Sequence, residues 1–254
     1  MGYLYESIAI KARAARCASA WKPHLEATKQ FLLSSAAACA QKRTAVIFGS
    51  GWLLDVPLQE LASEFEEVHL VDILHPAAAR RAARKHRNVQ LVSLDLSGVI
   101  NSVHQLTSRV EKTHRKESLP FPQRPFLSSS ERVDFVASVN VLSQLPQNPV
   151  NALRALKDPS GTPVYSDGEL DAYAASLRDA HLKFLHRFPH ACLVSDVEMQ
   201  TWRADTCVHQ KDLVTEWKSL PSGREWSWEI APPGEITPGE RTCHRVIACQ
   251  LTQI

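Results

Sequence analysis

Short apolar runs alternate with helix-type spacing along most of the chain. The runs that predict buried strands lie at residues 45–48, 68–72, 89–95, 133–140 and 190–197. Between them, apolar positions recur at helical spacing at residues 53–65, 76–86, 100–113 and 166–187. Strands that alternate with helices predict a parallel sheet whose strands are joined by right-handed crossovers.

The two ends of the chain depart from this alternation. At the start, residues 4–19 and 24–41 predict two helices, separated at Trp21-Lys22-Pro23 because proline suits a first helical turn better than an interior one. Near the end, residues 226–230 and 243–251 predict two strands joined by a Pro/Gly loop, preceded by a helix at 212–217. Two strands joined directly must run antiparallel, so a mixed sheet is expected.

Composition excludes several classes of protein. The net charge of +2 in 254 residues lacks the strongly basic footprint of a nucleic-acid binder. No apolar run reaches the length of a membrane span, and residues 1–16 lack the features of a secretory signal. The six cysteines form no C-x-x-C motif, which favours reduced thiols. We therefore expect a cytoplasmic protein without nucleic-acid or membrane partners, and predict nothing about its oligomeric state.

Four polar positions follow successive predicted strands. Gly49-Ser50-Gly51 ends the first strand, and its glycines allow the backbone to approach a ligand closely. Asp72, Asp95 and Asn140 end the second, third and fourth strands. In an open parallel sheet, ligands bind beyond the carboxyl ends of the strands where the strand order reverses. These positions are therefore expected to converge on one crevice.

Each of these residues has an alternative interpretation. Asp72 lies about twenty residues after the glycine turn, the distance at which an acid binds a ribose, or it is a solvated acid. Asp95 could accept a hydrogen bond from an adenine amino group or cap the next helix. On the substrate side, the candidates that follow the fourth strand are Asn140, Ser143, Gln144 and Tyr165. Ser143 and Gln144 could instead cap a helix.

The other histidines and cysteines give weaker indications of a functional site. His181 lies on an apolar helical stripe, where a core histidine is the simpler interpretation. Cys207, His209, Cys243 and His244 lack the usual spacing of zinc ligands, so no metal is expected.

The series V-I-F-G-S-G-W, V-H-L-V-D, L-V-S-L-D-L and D-F-V-A-S-V-N, followed by a late strand and a closing hairpin, resembles the class I S-adenosylmethionine-dependent methyltransferase family over residues 44–254. The resemblance implies a Rossmann-like, doubly wound α/β fold, with a mostly parallel seven-stranded sheet and a C-terminal antiparallel hairpin. The chain would form a single methyltransferase-like domain at 1–254, with an N-terminal helical cap at 1–42 and the core at 44–254.

The resemblance also implies S-adenosylmethionine as cofactor and a role for each matched residue. Phe48, Gly49, Ser50 and Gly51 would pass under its methionine part, and Asp72 would bind the ribose hydroxyls. Ile73 would contact the adenine face, and Asp95 with Leu96 the adenine edge. Asn140 would lie near the sulfonium and the substrate, and with Tyr165 is the candidate for catalysis.

Two positions depart from the family pattern. Ile47 stands where an acid is often found, and Leu53 where a third glycine is found. The fourth strand also lacks the N-P-P-Y type motif of enzymes that methylate amino groups of adenine or glutamine. The leading hypothesis is a methyltransferase acting on a small molecule, with the 116–132 loop and the N-terminal helices, through Trp21 and His24, as pocket walls. Alternatives are a non-catalytic relative that binds the cofactor or a partner, and an NAD(P)-dependent dehydrogenase.

Overall fold

A computed structural model describes residues 2–122 and 132–251, so positions 123–131 of the predicted 116–132 loop lie outside the described residues. The helices are α1 (Tyr3–Arg16), α2 (Ala18–Ala37), α3 (Leu58–Glu64), α4 (Ala77–Ala83), α5 (Ile100–Thr113), α6 (Gln147–Arg154) and α7 (Asp167–Leu185). The strands are β1 (Thr44–Phe48), β2 (Glu67–Asp72), β3 (Val89–Ser93), β4 (Val133–Val139), β5 (Ala191–Arg203), β6 (Thr206–Asp212), β7 (Arg224–Ala231) and β8 (Glu240–Leu251).

One sheet contains all eight of these strands. Its order is β3-β2-β1-β4-β5-β8-β7, and β6 pairs with an extension of β5. Strands β1 to β5 run parallel, and β8 is antiparallel to both of its neighbours, β5 and β7. This confirms the predicted α/β class with a mostly parallel sheet and an antiparallel end. The predicted number of seven strands is wrong, because β6 pairs with the extension of β5 and makes an eighth strand. The strand order reverses between β1 and β4, which places the switch point of the sheet there.

Both faces of the central strands are covered. Every residue of β1 and β4 is buried, as expected for their near-continuous apolar runs. One face packs against α2 and α3 through side chains such as Leu32 and Leu61, and the other against α7 through Phe184 and Leu185. Burying each such side chain contributes roughly 1.5–3 kcal/mol. The central strands are therefore a rigid base for the loops at their carboxyl ends.

The predicted helix break at Trp21-Lys22-Pro23 is wrong. The chain breaks at Cys17 instead, and Pro23 lies inside α2. An interior proline costs about 3 kcal/mol because it removes a backbone hydrogen bond. The buried face of α2 offsets that cost: Trp21 and His24 pack against β7, and the Trp21 indole donates to the Ile230 carbonyl at 3.0 Å.

Other helices also differ from the predicted ones. The predicted helix at 212–217 is wrong, since Asp212 ends β6 and only a short 3-10 helix follows at Trp217–Ser219. The helical spacing at 53–65 produces a helix only from Leu58, and α6 was not predicted. By contrast, α5 covers the predicted residues 100–113. None of the described helices has the length and apolar character to span a membrane.

Candidate active site

The glycine turn lies at the switch point, directly after β1. Gly49 has φ +78°, and a Cβ there would lie 2.3 Å from the carbonyl oxygen of Val139 and from Val141 Cγ2. The close passage of β4 therefore requires glycine at position 49, and contact of this turn with a ligand stays a prediction. Leu53, which replaces the family's third glycine, keeps the left-handed conformation with φ +59°. Such a conformation costs a residue with a Cβ about 1–2 kcal/mol.

The turn does not lead straight into a helix, as the apolar spacing had suggested. Residues 50–57 form turns, and α3 begins only at Leu58 with Pro57 before it. Among the described residues, therefore, no helix begins directly after the glycine turn, contrary to the expectation. The loop instead supplies backbone N–H groups and the side chain of Asp55 to the crevice.

Asp72 joins the second strand to the glycine turn. Its Oδ2 accepts a hydrogen bond from the Gly51 backbone N–H at 2.8 Å, and Oδ1 accepts from the Leu74 N–H at 3.3 Å. An ionised carboxylate has about four acceptor positions, so both oxygens keep capacity for a ligand. Ile73 follows and is partly exposed.

Asp95 lies two residues beyond the end of β3. Its Oδ1 accepts from the Ser97 backbone N–H and hydroxyl, at 2.9 and 2.6 Å, and its Oδ2 accepts from the Ile100 N–H at 2.9 Å. This is the helix-capping alternative, because Ile100 is the first residue of α5. Binding of the adenine edge by Asp95 and Leu96 stays a prediction.

Asn140, directly after β4, contacts two residues that the sequence did not place beside it. It has the left-handed φ of +52°, and its Nδ2 donates to Asp55 Oδ2 at 2.8 Å. The same Nδ2 lies 3.4 Å from His24 Nε2, while the buried Asn140 Oδ1 has no hydrogen-bond partner in the described part of the chain. Burial raises the pKa of the Asp55 carboxyl. Asn140 therefore connects the glycine loop, β4 and α2.

The tautomer of His24 follows from its neighbours. The Trp226 indole N–H donates to His24 Nδ1 at 3.0 Å, and an indole can only donate. Burial lowers the pKa of His24 to about 4, so the ring is neutral at pH 7 and its proton resides on Nε2. The ring stacks on Trp228 at 4.0 Å between centroids. The His24 Nε2–H therefore faces the Asn140 Nδ2 group, which is also a donor, so their 3.4 Å approach is a contact and not a hydrogen bond.

A second histidine beside this stack has the opposite arrangement. His244 Nδ1 lies 2.8 Å from Asp196 Oδ2, and the other oxygen of Asp196 accepts the Ser143 hydroxyl. The Trp228 and His244 rings meet edge to face at 5.9 Å. Since a carboxylate accepts, the neutral ring carries its proton on Nδ1 and a lone pair on Nε2. That Nε2 has no hydrogen-bond partner within the described ranges.

Helix α1 lies across these loops and buries none of its residues. The Trp52 indole, in the glycine loop, donates to the Ser7 carbonyl at 2.9 Å. Asn148 of α6 donates to Glu6 at 2.8 Å. Tyr3 approaches Asp95 closely enough that this acid, after burial, contributes to raising the pKa of its phenol. The N-terminal segment thus covers the strand ends, as the predicted cap implied.

Several predicted site residues are engaged elsewhere. Phe48 is fully buried with its ring against Phe184 at 5.8 Å, so only its backbone is available at the crevice. Tyr165 is buried among α5, α6 and α7, and its hydroxyl donates to the Glu117 carbonyl at 2.8 Å. This geometry does not support its predicted catalytic role.

The two other substrate candidates, Ser143 and Gln144, differ in burial and in their contacts. Gln144 is exposed, whereas Ser143 is buried and bonded to Asp196 rather than capping α6, which has no side-chain cap. Ser50 is also buried, and its hydroxyl has no partner in residues 2–122 or 132–251.

Sequence reasoning missed Asp55, Trp226, Trp228, Asp196 and His244 as members of one group. Of these, only Asp196 could have been identified from sequence, because it is an acid near the end of the fifth predicted strand. Its signal is the same one that identified Asp72 and Asp95.

Comparison with known proteins adds remote structural matches. No family model and no curated protein matches the sequence. The N-methyltransferase NodS from Bradyrhizobium japonicum, in complex with S-adenosylhomocysteine, is 11% identical over 89% of this chain and 86% of its own, with a TM-score of 0.41. A Burkholderia thailandensis 1,6-didemethyltoxoflavin-N1-methyltransferase is 12% identical over 96% and 89%, with a TM-score of 0.37. The DhpI–SAM–HEP complex is 15% identical over 95% and 97%, with a TM-score of 0.38.

Proposed function

We propose that this protein is an S-adenosylmethionine-dependent methyltransferase that acts on a small-molecule acceptor. The observation that carries the proposal is the arrangement at the switch point. Asp72 binds the glycine turn on one side of β1, and Asn140 with Asp55 lies on the other. Carboxylate oxygens on the first side suit ribose hydroxyls, and acceptor groups on the second suit a cationic tail.

The residues present fit this cofactor. The buried Oδ1 of Asn140 and the buried hydroxyl of Ser50 both lack partners among the described residues, and both lie on crevice loops. Asp72 would hold the ribose, and Ile73, Leu96, Asp95 and Tyr3 would surround the adenine. When bound, the cofactor supplies an electrophilic methyl group.

The acceptor half of the crevice would be formed by β5, β7, β8 and the first turns of α2. His244 has a lone pair on Nε2, and Asp196 would stabilise the imidazolium that forms when that atom takes a proton. Such a base is useful only for an acceptor that loses a proton on methylation. We therefore favour a hydroxyl or amine acceptor, with the Trp226 and Trp228 rings as walls.

A dehydrogenase is less well supported. A dinucleotide-binding site places the pyrophosphate on the N-terminus of the helix that follows the glycine turn. Here six residues separate Gly51 from α3, and α3 spans only Leu58–Glu64. The turn therefore lacks the element that would hold a pyrophosphate.

Calorimetric titration tests the proposal. S-adenosylmethionine and S-adenosylhomocysteine should bind, and NAD should not. Asp72→Ala should weaken binding of both adenosyl compounds by about 1–3 kcal/mol, the value of a hydrogen bond to a charged group. Absence of binding at concentrations on the order of 1 mM would overturn the proposal, because that limit corresponds to about −4 kcal/mol.

A labelling experiment separates catalysis from binding alone. Cofactor with a labelled methyl group is incubated with the protein and a cell extract, and the label is followed by molecular mass. Transfer into the low-mass fraction supports the small-molecule assignment. Cofactor binding without transfer into any fraction would favour the non-catalytic alternative.

A further inference from the structure

Asp55 is a partly buried acid that forms no ion pair among the described residues. It lies in the non-helical loop between Gly51 and α3, and its carboxylate accepts a hydrogen bond from Asn140 Nδ2 at 2.8 Å. Lys29 influences it only at long range, and within residues 2–122 and 132–251 no basic side chain forms an ion pair with it. Shielding this acid from water raises its pKa and disfavours the ionised carboxylate, so a ligand that brings a positive charge would stabilise the ionised form.

Asn140 adds a second acceptor beside this acid. Because its Nδ2 donates to Asp55, its Oδ1 faces away from the carboxylate, and this oxygen is buried without a partner among the described residues. The reverse orientation of the amide would place its oxygen 2.8 Å from the Asp55 carboxylate, a closer conflict than the 3.4 Å approach of Nδ2 to the His24 Nε2–H. One carboxylate and one amide oxygen are therefore available to hydrogen-bond donors on the β4 side of the glycine turn.

An ammonium group matches this pair better than other cations do. An ammonium carries three N–H donors and can bond both oxygens at once, whereas a sulfonium has no N–H to donate. A metal ion would need more ligands, and no cluster of three His, Cys, Asp or Glu side chains suited to a metal occurs among the described residues. The chemistry of the site therefore favours a cation that carries N–H donors, such as a primary ammonium.

We propose that Asp55 and the Asn140 side-chain oxygen bind the α-ammonium group of the cofactor's methionine part. This inference rests on the proposed function and names the residue that replaces the acid absent at position 47. Ile47 is fully buried in the apolar layer beneath α2 and α3, where a carboxylate would be desolvated. The loop supplies the carboxylate eight positions later, next to the end of β4.

The test compares two ligands on the same protein by calorimetry. S-adenosylhomocysteine carries the α-ammonium, and 5′-methylthioadenosine shares its adenosine and thioether but lacks the amino-acid part. Asp55→Asn should weaken S-adenosylhomocysteine about 10- to 100-fold, the loss expected for a charged hydrogen bond. The affinity for 5′-methylthioadenosine should stay within about threefold, since neutral contacts are unchanged.

Two control variants accompany Asp55→Asn. Asp72→Asn should weaken both ligands by a similar factor, because both contain the ribose. Glu60→Gln removes an exposed acid of α3 and should leave both affinities unchanged. Equal loss of both ligands in Asp55→Asn, or no loss of either, would overturn the inference. If the wild-type protein binds neither adenosyl compound, the proposed function itself is wrong.

A measurement on the wild-type protein guards against a variant that fails to fold. The deamino analogue of S-adenosylhomocysteine keeps the carboxylate and lacks only the ammonium. It should bind the wild-type protein about 10- to 100-fold more weakly than S-adenosylhomocysteine does. In Asp55→Asn the two compounds should bind almost equally. Equal affinities on the wild-type protein would contradict the assignment.

Discussion

The two halves of the crevice are built from different parts of the chain. In the cofactor half, acids at strand ends bond to backbone N–H groups: Asp95 bonds to Ile100, 5 positions away, and Asp72 to Gly51, 21 positions away. The bond between Asp55 and Asn140, 85 positions apart, is the exception. In the acceptor half, side chains bond across long separations. His24 bonds to Trp226, which is 202 positions away, and Asp196 to His244, which is 48 away.

This difference has consequences for stability. The bonds of the cofactor half involve backbone N–H groups near the surface, which water can satisfy when a side chain is removed. The bonds of the acceptor half join buried side chains, which lose their only partners. Substitutions should therefore affect the acceptor half mainly through stability, and the cofactor half mainly through ligand binding.

Gly49→Ala should have the largest effect, because Gly49 lies where the halves meet. The new Cβ would contact Val139 and Val141 at 2.3 Å, and φ is +78°. Adding strain and overpacking gives a loss of about 2–5 kcal/mol in the free energy of unfolding. The control is Gly234→Ala, which has φ +86° but open space around it. It should lose only about 1–2 kcal/mol in urea denaturation. Equal losses would mean that the contact with β4 is unimportant.

Asp196→Ala tests the acceptor half directly. Asp196 is 5% exposed, and its removal leaves the Ser143 hydroxyl and His244 Nδ1 unpaired in the interior. The expected cost is about 3 kcal/mol in the free energy of unfolding. Asp72→Ala should cost about 1 kcal/mol, since its partners are backbone N–H groups at a partly exposed position. A larger loss for Asp72 would reverse the comparison.

Lowering the pH should destabilise the protein through two buried histidines. Burial lowers the pKa of His24 and His181 from the ordinary value of 6.5 to about 4. Between these values the unfolded state binds more protons, so stability is present above about pH 6.5 and is lost as the pH falls toward 4. Each histidine can contribute up to roughly 3 kcal/mol.

The histidine contributions can be separated by variants. The difference in unfolding free energy between pH 7.5 and 4.5 should shrink in His24→Gln, which reports on the acceptor half, and in His181→Gln, which reports on the core below β1. An unchanged pH dependence in both variants would exclude these histidines as the cause. His209 is exposed, so His209→Gln serves as the control and should leave the pH dependence unchanged.

Trp226→Phe should have the smallest effect. It removes the indole N–H that donates to His24 Nδ1 at 3.0 Å, and should cost about 1 kcal/mol. Trp217→Phe is the matched control, because its indole bond to Asp212 is long, at 3.3 Å, and exposed. The loss in Trp226→Phe should exceed that in Trp217→Phe. NMR of labelled histidine should also show the proton of His24 on Nε2 only while Trp226 is present.

The cofactor half was the part that could be predicted from sequence. Apolar runs that end in Gly49, Asp72 and Asn140 place those residues at one edge of the sheet, because strand period and crossover direction are local rules. Even here the role of Asp95 stayed open, since capping and ligand binding use the same carboxylate.

The acceptor half could not be predicted because its contacts depend on the tertiary arrangement. Placing His24 beside Asn140 requires α2 to continue through Pro23, which local propensity disfavours. In the cofactor half, Asp55 escaped prediction for a similar reason, because it lies in a loop without periodicity whose path includes Leu53 at φ +59°. Neither property leaves a recognisable pattern in the residues.

The position of β8 has a consequence for the order of assembly. β8 is the last described strand along the chain, yet it lies inside the sheet, between β5 and β7. During synthesis β7 emerges before β8, so the strand that pairs with β7 and joins it to β5 is not yet available. The acceptor half, with His244 on β8, therefore forms only after almost the whole chain has left the ribosome, whereas β1 to β4 can pair much earlier.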